Sequence, residues 1–193
     1  GVLDRFGQIE PKVLVACDGY YYNGNAIDIS DKLAQVVAQL PSVALVIVVP
    51  YLGHDRTVAQ KLNAALASTG RRALTWRDAV QTLPPAPATF ERFPFAHPLY
   101  VLFSSGTTGM PKCIVHSAGG TLLKHLSEQR LHTDIKAGDR LFYFTTLGWM
   151  MWNWLVSGLA SGATLLLYDG SPFFPDGNIL WDYAQAERCT HFG

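Results

Sequence analysis

The sequence predicts an α/β fold in which mixed or parallel sheets are flanked by helices. Three observations carry that expectation. Val13 to Ala16 is a short strand-like run, Leu33, Val36, Val37 and Leu40 follow at helical spacing, and Val43 to Val49 is a second apolar run. That strand, helix, strand order suggests a right-handed crossover unit. A similar alternation returns after residue 99, and 49% hydrophobic with 16% charged residues over 193 positions is the balance of an ordinary α/β domain able to bury a core.

The elements follow in order. The triplet Tyr20 to Tyr22 runs into Asn23-Gly24, the strongest short hairpin signal available, and the tyrosines read as packing residues rather than as a stacking surface. Ser30 stands as N-cap of the helix that Pro41 ends. Val43 to Val49 has the near-continuous β-branched character of a strand buried on both faces. Five of the eleven prolines, at 84, 85, 87, 94 and 98, fall in Leu83 to Pro98, so residues 84–98 read as a linker between subdomain parts 1–83 and 99–193. Tyr100 to Phe103 and Cys113 to Val115 read as strands on either side of a polar loop. Ser117 caps a helix in which Leu122, Leu123, Leu126 and Leu131 form an apolar stripe while Lys124, Glu128 and Arg130 face water. Gly138-Asp139 turns the chain into a strand at Leu141 to Phe144, and a helix about Trp149 to Ala160 leads through Gly162 to a strand at Thr164 to Tyr168.

Several function classes are disfavoured. Lys plus Arg and Asp plus Glu are both 15, so no overall field favours nucleic acid or an anionic membrane. Cys17, Cys113 and Cys189 are odd in number and widely spaced, which suggests neither a disulfide framework nor a structural zinc site and suits the cytoplasm. No apolar run approaches the roughly 18 to 20 residues of a membrane span. The chain begins at Gly1 without a methionine and stops at Thr190 to Gly193 with no finished element, which suggests a piece of a longer protein.

The segment LFSSGTTGMPKCIVH, Leu102 to His116, concentrates the chemistry. Gly106 and Gly109 permit positive φ and close approach of backbone N–H groups to a ligand. Ser104, Ser105, Thr107 and Thr108 add hydroxyl donors, and Lys112 adds a positive charge, a set that suits a polyphosphate. It is not a Walker loop: the fifth residue after Gly106 is Pro111, Lys112 precedes Cys113 rather than a hydroxyl, and the next element reads as a strand, not a helix. An empty surface hairpin is the plain alternative. It requires neither the lysine nor the proline that stiffens the chain presenting it.

The run SSGTTGMPK resembles the phosphate-loop signature of the adenylate-forming superfamily, with Ser104, Ser105, Gly106, Thr107, Thr108, Gly109, Pro111 and Lys112 all matching. The resemblance implies part of that family's large N-terminal, AMP-binding domain. It also implies use of ATP, Mg2+ and CoA: a carboxylate attacks the α-phosphorus of ATP, pyrophosphate leaves, and CoA thiol attacks the acyl-adenylate. Ser105, Thr107 and Thr108 would bind the leaving phosphates with Ser104 opening the loop, Gly106 and Gly109 would allow the approach, and Lys112 would act catalytically by offsetting charge. The family's later adenine, ribose and magnesium motifs and its C-terminal lysine are absent, so this chain alone is expected not to turn over.

A second stretch, Thr145 to Pro172, resembles the branch of that superfamily acting on short acids, through Gly148-Trp149-Met150-Met151 and Tyr168-Asp169-Gly170-Ser171-Pro172. The resemblance implies acetoacetate as the acid and acetoacetyl-CoA as product. Trp149, Met150 and Met151 suit the floor of a short pocket, and Trp152 or Asn153 could donate to the acid's second carbonyl. By spacing alone the same stretch is a buried core helix of Trp149, Met150, Trp152, Leu155, Val156 and Leu159. His116 reads as structural, because adenylation of an ionised carboxylate needs no base, and Cys113 reads as a small packed side chain. The other histidines show no metal-ligand spacing. Another short-acid synthetase, or a nucleotide-binding module without ligase chemistry, stays open.

Overall fold

A computed structural model describes residues 1–104 and 109–193. The described residues fall into two compact units, one of residues 1–90 with 109–112 and the other of residues 91–104 with 113–193.

The first unit runs α1 (Val2–Ile9), β1 (Val13–Cys17), β2 (Gly19–Tyr22), β3 (Asn25–Asp28), α2 (Ser30–Ala38), β4 (Leu45–Val49), α3 (Asp55–Leu66), β5 (Arg72–Thr75) and α4 (Trp76–Gln81). Its sheet is parallel in the order β1-β4-β5, with Val13 opposite Leu45 and Val46 opposite Ala73. Leu33 and Val37 of α2 and Val58 and Leu62 of α3 bury Val46 and Val48 in one apolar cluster. The expectation that the Val43 to Val49 strand is buried on both faces is corrected: β4 alternates, with Leu45, Ile47 and Val49 only half-buried. The hairpin β2–β3 forms as expected, its turn residues Asn23 and Gly24 both at positive φ, 51° and 79°. Its tyrosines are exposed, with Tyr21 tilted against Tyr51 at 5.9 Å between ring centroids. Ser30 is the first residue of α2 rather than its cap, and Asp28 accepts a hydrogen bond from the Ser30 amide.

Side chains satisfy several backbone ends among the described residues of this unit. Arg71 donates to the carbonyls of Val37, Leu40 and Val43, setting a cation against the C-terminal end of α2. Asn63 of α3 donates to and accepts from the backbone of Ala73 at 2.9 and 2.8 Å, which occupies polar groups of edge strand β5. Asp18, fully buried, accepts from the amides of Tyr51, Leu52 and His54 and so fixes the turn after β4. Burial pushes its pKa up, but the three backbone donors outweigh it and hold the carboxyl below its ordinary range.

The second unit runs β6 (Pro98–Phe103), β7 (Cys113–Ser117), α5 (Ala118–Ser127), a π-helical turn (Glu128–His132), β8 (Arg140–Phe142), α6 (Met150–Val156), a 3-10 turn (Ser157–Ser161), β9 (Thr164–Leu166), α7 (Ile179–Ala186) and β10 (His191–Phe192). Strands β10, β8 and β9 form a parallel sheet in that order, and β6 pairs antiparallel with β7. Ile135, Leu141, Leu155 and Ala163 form its core, with Trp152 and Trp154 packed against them.

The leucine stripe expected on α5 is corrected. Ser117 caps the helix, its Oγ accepting from the Gly120 amide at 3.3 Å, but Leu122, Leu123 and Leu131 are exposed. The face turned into the unit is Thr121, His125 and Gln129, four residues apart. Gln129 sits in the π-helical turn and is fully buried, donating to the Trp154 carbonyl at 2.8 Å and accepting from Ser161 Oγ at 2.9 Å.

Candidate functional site

Two features are candidates for the functional site. The first is the loop joining β6 to β7, whose ends are set by Phe103 lying opposite Cys113. Of the residues expected to meet phosphate, Ser105, Gly106, Thr107 and Thr108 lie outside the described residues. Ser104 is half-buried just past β6, Gly109 has φ 148°, a conformation that favours glycine, and Lys112 is exposed. Pro111 is buried, and its carbonyl accepts from Gln8 Nε2 of α1 at 2.9 Å. The loop leads into a strand, as its sequence required. Cys113 is exposed on β7, which corrects its reading as a packed side chain, since the strand turns it outward.

The second feature is a cavity of about 940 Å³ within the second unit. Leu141, Phe142, Met150, Met151 and Trp154 supply apolar lining from β8 and α6. His116, Thr121, Lys124, His125 and Glu128 supply polar lining from β7, α5 and the π-helical turn. A volume of this size accepts a drug-sized ligand, more than a four-carbon acid fills. Of the three expected acid-contacting residues, Met150 and Met151 reach the cavity. Trp149 stands at the start of α6, 71% exposed and outside the lining. Trp152 and Asn153 also lie outside it, Trp152 packed on the core and Asn153 buried.

The polar wall is organised. Lys124 pairs with Glu128 one turn on, and the lysine hydrogen bond and charge lower the Glu128 pKa. Ser157 has one hydroxyl hydrogen, and it points to the Asn153 carbonyl at 2.9 Å. His125 Nδ1, 2.7 Å from Ser157 Oγ, must then be the protonated donor, which leaves Nε2 with a lone pair. Burial, then the charge of His116, depress the His125 pKa and keep the ring neutral. Sequence reasoning missed this wall. Its signal was the recurrence of Thr121, His125 and Gln129 at four-residue spacing between leucines. No group of three His, Cys, Asp or Glu among the described residues is placed to hold a metal ion, and no described helix is long and apolar enough to cross a membrane.

The family model described as AMP-binding enzyme matches residues 3–193. The chain belongs to the AMP-binding enzyme family. Among its AMP-binding relatives, acetoacetyl-coenzyme A synthetase of Rhizobium meliloti is 59% identical over 193 residues, all of this chain and 28% of the relative. Acetoacetyl-CoA synthetase of Mus musculus is 48% identical over 195 residues, with the same shares. The solved acetoacetyl-CoA synthetase of Streptomyces lividans superposes with a TM-score of 0.86 at 45% identity, covering 100% of this chain and 27% of that one. The chain thus spans little more than a quarter of the length of these AMP-binding enzymes.

Proposed function

We propose that the chain is part of the large N-terminal domain of a cytoplasmic acid–thiol ligase that converts acetoacetate, ATP and CoA to acetoacetyl-CoA, AMP and pyrophosphate through an acyl-adenylate. High identity over its whole length to acetoacetyl-CoA synthetases carries the reading. The hydroxyl-rich loop is assigned to the leaving phosphates, with Ser104, Ser105, Gly106, Thr107, Thr108, Gly109 and Lys112 as its ATP contacts. An exposed lysine and a glycine at positive φ suit an anionic ligand. Lys112 offsets charge that grows on pyrophosphate as the acid's carboxylate bonds to the α-phosphorus, a contact worth most where charge develops. Magnesium is assigned to the incoming nucleotide through the family resemblance alone, and no step is derived through it. CoA enters as the thiol that displaces AMP.

Met150 and Met151 are assigned to the acid's carbon chain at their end of the cavity, where a flexible thioether adapts to a short substrate. Trp149 keeps that role through the family resemblance alone. The division into parts 1–83 and 99–193 about a proline-rich linker belongs to the same proposal.

The test is isotope exchange of pyrophosphate into ATP by the complete enzyme. Acetoacetate should support exchange without CoA, AMP should accumulate when CoA is added, and the 193-residue chain alone should release no AMP above background. Exchange with acetate or propionate but none with acetoacetate would overturn the substrate.

A further inference from the structure

We propose that the Thr121 hydroxyl is the hydrogen-bond donor by which this cavity tells a 3-oxo acid from its saturated counterpart, a specificity role that rests on the acetoacetate reading above. Thr121 belongs to the cavity wall and is only 7% exposed. Its Oγ1 is buried without a hydrogen-bond partner, the sole such side-chain atom among the described residues. A buried hydroxyl left unpaired costs stability, and valine would fill nearly the same volume without that cost. A ligand oxygen removes the penalty. Threonine in a helix has two accessible χ1 wells, and rotation between them exchanges hydroxyl for methyl, so an entering acceptor can draw the hydroxyl to itself with one rotamer change.

The surrounding groups select the kind of acceptor. Leu141, Phe142, Met150 and Met151 offer no hydrogen bond, so they suit the methyl and methylene of a short chain. One turn beyond Thr121, His125 also belongs to the cavity wall, and with its Nδ1 hydrogen held by Ser157 the remaining ring nitrogen is an uncharged acceptor, not a second donor. The Lys124 ammonium is held by Glu128. A second carboxylate would find little support here, whereas a neutral carbonyl oxygen on the third carbon needs one donor, which Thr121 supplies.

The complete enzyme is assayed for kcat/KM with acetoacetate and with butyrate, which keeps the four carbons and lacks the oxygen. Thr121→Val should lower the acetoacetate-to-butyrate ratio by roughly tenfold or more, through acetoacetate alone. Thr121→Ser should retain most of the ratio, and the valine variant should melt at or above the wild-type temperature because the unpaired hydroxyl is gone. If valine packs poorly, Thr121→Ala reads the same ratio. A wild type that prefers acetoacetate, with a ratio unchanged in Thr121→Val, overturns the role of Thr121 and leaves the proposed function standing. A wild type inactive on acetoacetate overturns both.

Discussion

Gln129, fully buried in a π-helical turn, joins α5 to α6 by donating from Nε2 to the carbonyl of Trp154 at 2.8 Å. Its Oε1 accepts from Ser161, so one side chain occupies polar groups on α6 and on the turn that follows it. Trp154 also lines the cavity, which makes this amide a support for the wall that carries Met150 and Met151. π-Helical turns often mark places where a side chain must be aimed rather than merely packed.

Gln129→Leu keeps the volume and removes both hydrogen bonds. It leaves the Trp154 carbonyl and the Ser161 hydroxyl unpaired, at about 1 to 3 kcal/mol for each. Chemical denaturation should show a loss of that size. In the double variant with Ser161→Ala the losses should be less than additive, because one mutation removes the partner the other orphaned. Full additivity would mean that the two side chains do not interact.

The His125 pKa lies below its ordinary value of about 6.5 because burial, and then His116, disfavour the cation against the smaller opposing pull of Glu128. The unfolded chain therefore binds a proton near pH 6.5 that the folded chain refuses. Stability from this group is complete above that pH and declines as pH falls toward the folded-state pKa. His125→Asn keeps an N–H near the position of Nδ1 and does not titrate. Its unfolding free energy should fall less steeply than wild type below pH 6.5 or so. Equal slopes would remove His125 as the source.

Much of this was legible in the sequence, and the gaps have physical causes. Asn23-Gly24 specifies its hairpin because both residues tolerate positive φ, and Ser117 caps α5 because a hydroxyl there meets a free amide. Helix α3 is not among the expected elements although Val58, Leu62 and Leu66 recur at four-residue spacing, and β5 with four residues and β10 with two are too short for a period to register. The loop proposed to hold phosphate stands out in the sequence because its hydroxyls, glycines and lysine are contiguous. The cavity's polar wall is not, because a helix whose leucines face outward inverts the usual rule, and only contacts with Ser157 and Trp154 reveal which side is buried.

Lys112 is the loop residue whose role separates catalysis from folding. In the complete enzyme Lys112→Ala should lower kcat for adenylate formation by about 10² to 10³, the usual scale for losing one preorganised contact to developing charge. If Lys112 acts on the phosphates and not on folding, the melting temperature of the variant should stay near wild type. A large fall in melting temperature with kcat nearly intact would make the loop structural.

The claim that the cavity beside Met150 and Met151 selects the acid is tested most directly by Met151→Ala in the complete enzyme, comparing kcat/KM for acetoacetate with that for a five- or six-carbon acid. One or two added methylenes are worth roughly 1 to 3 kcal/mol in such a pocket, so the preference for acetoacetate should drop by about 10- to 200-fold. A stability loss of about 2 to 5 kcal/mol should accompany it if the thioether is packed as a core side chain. That loss with an unchanged ratio, measured where both proteins remain folded, would leave Met151 in the core and contradict the assignment of the acid to this cavity.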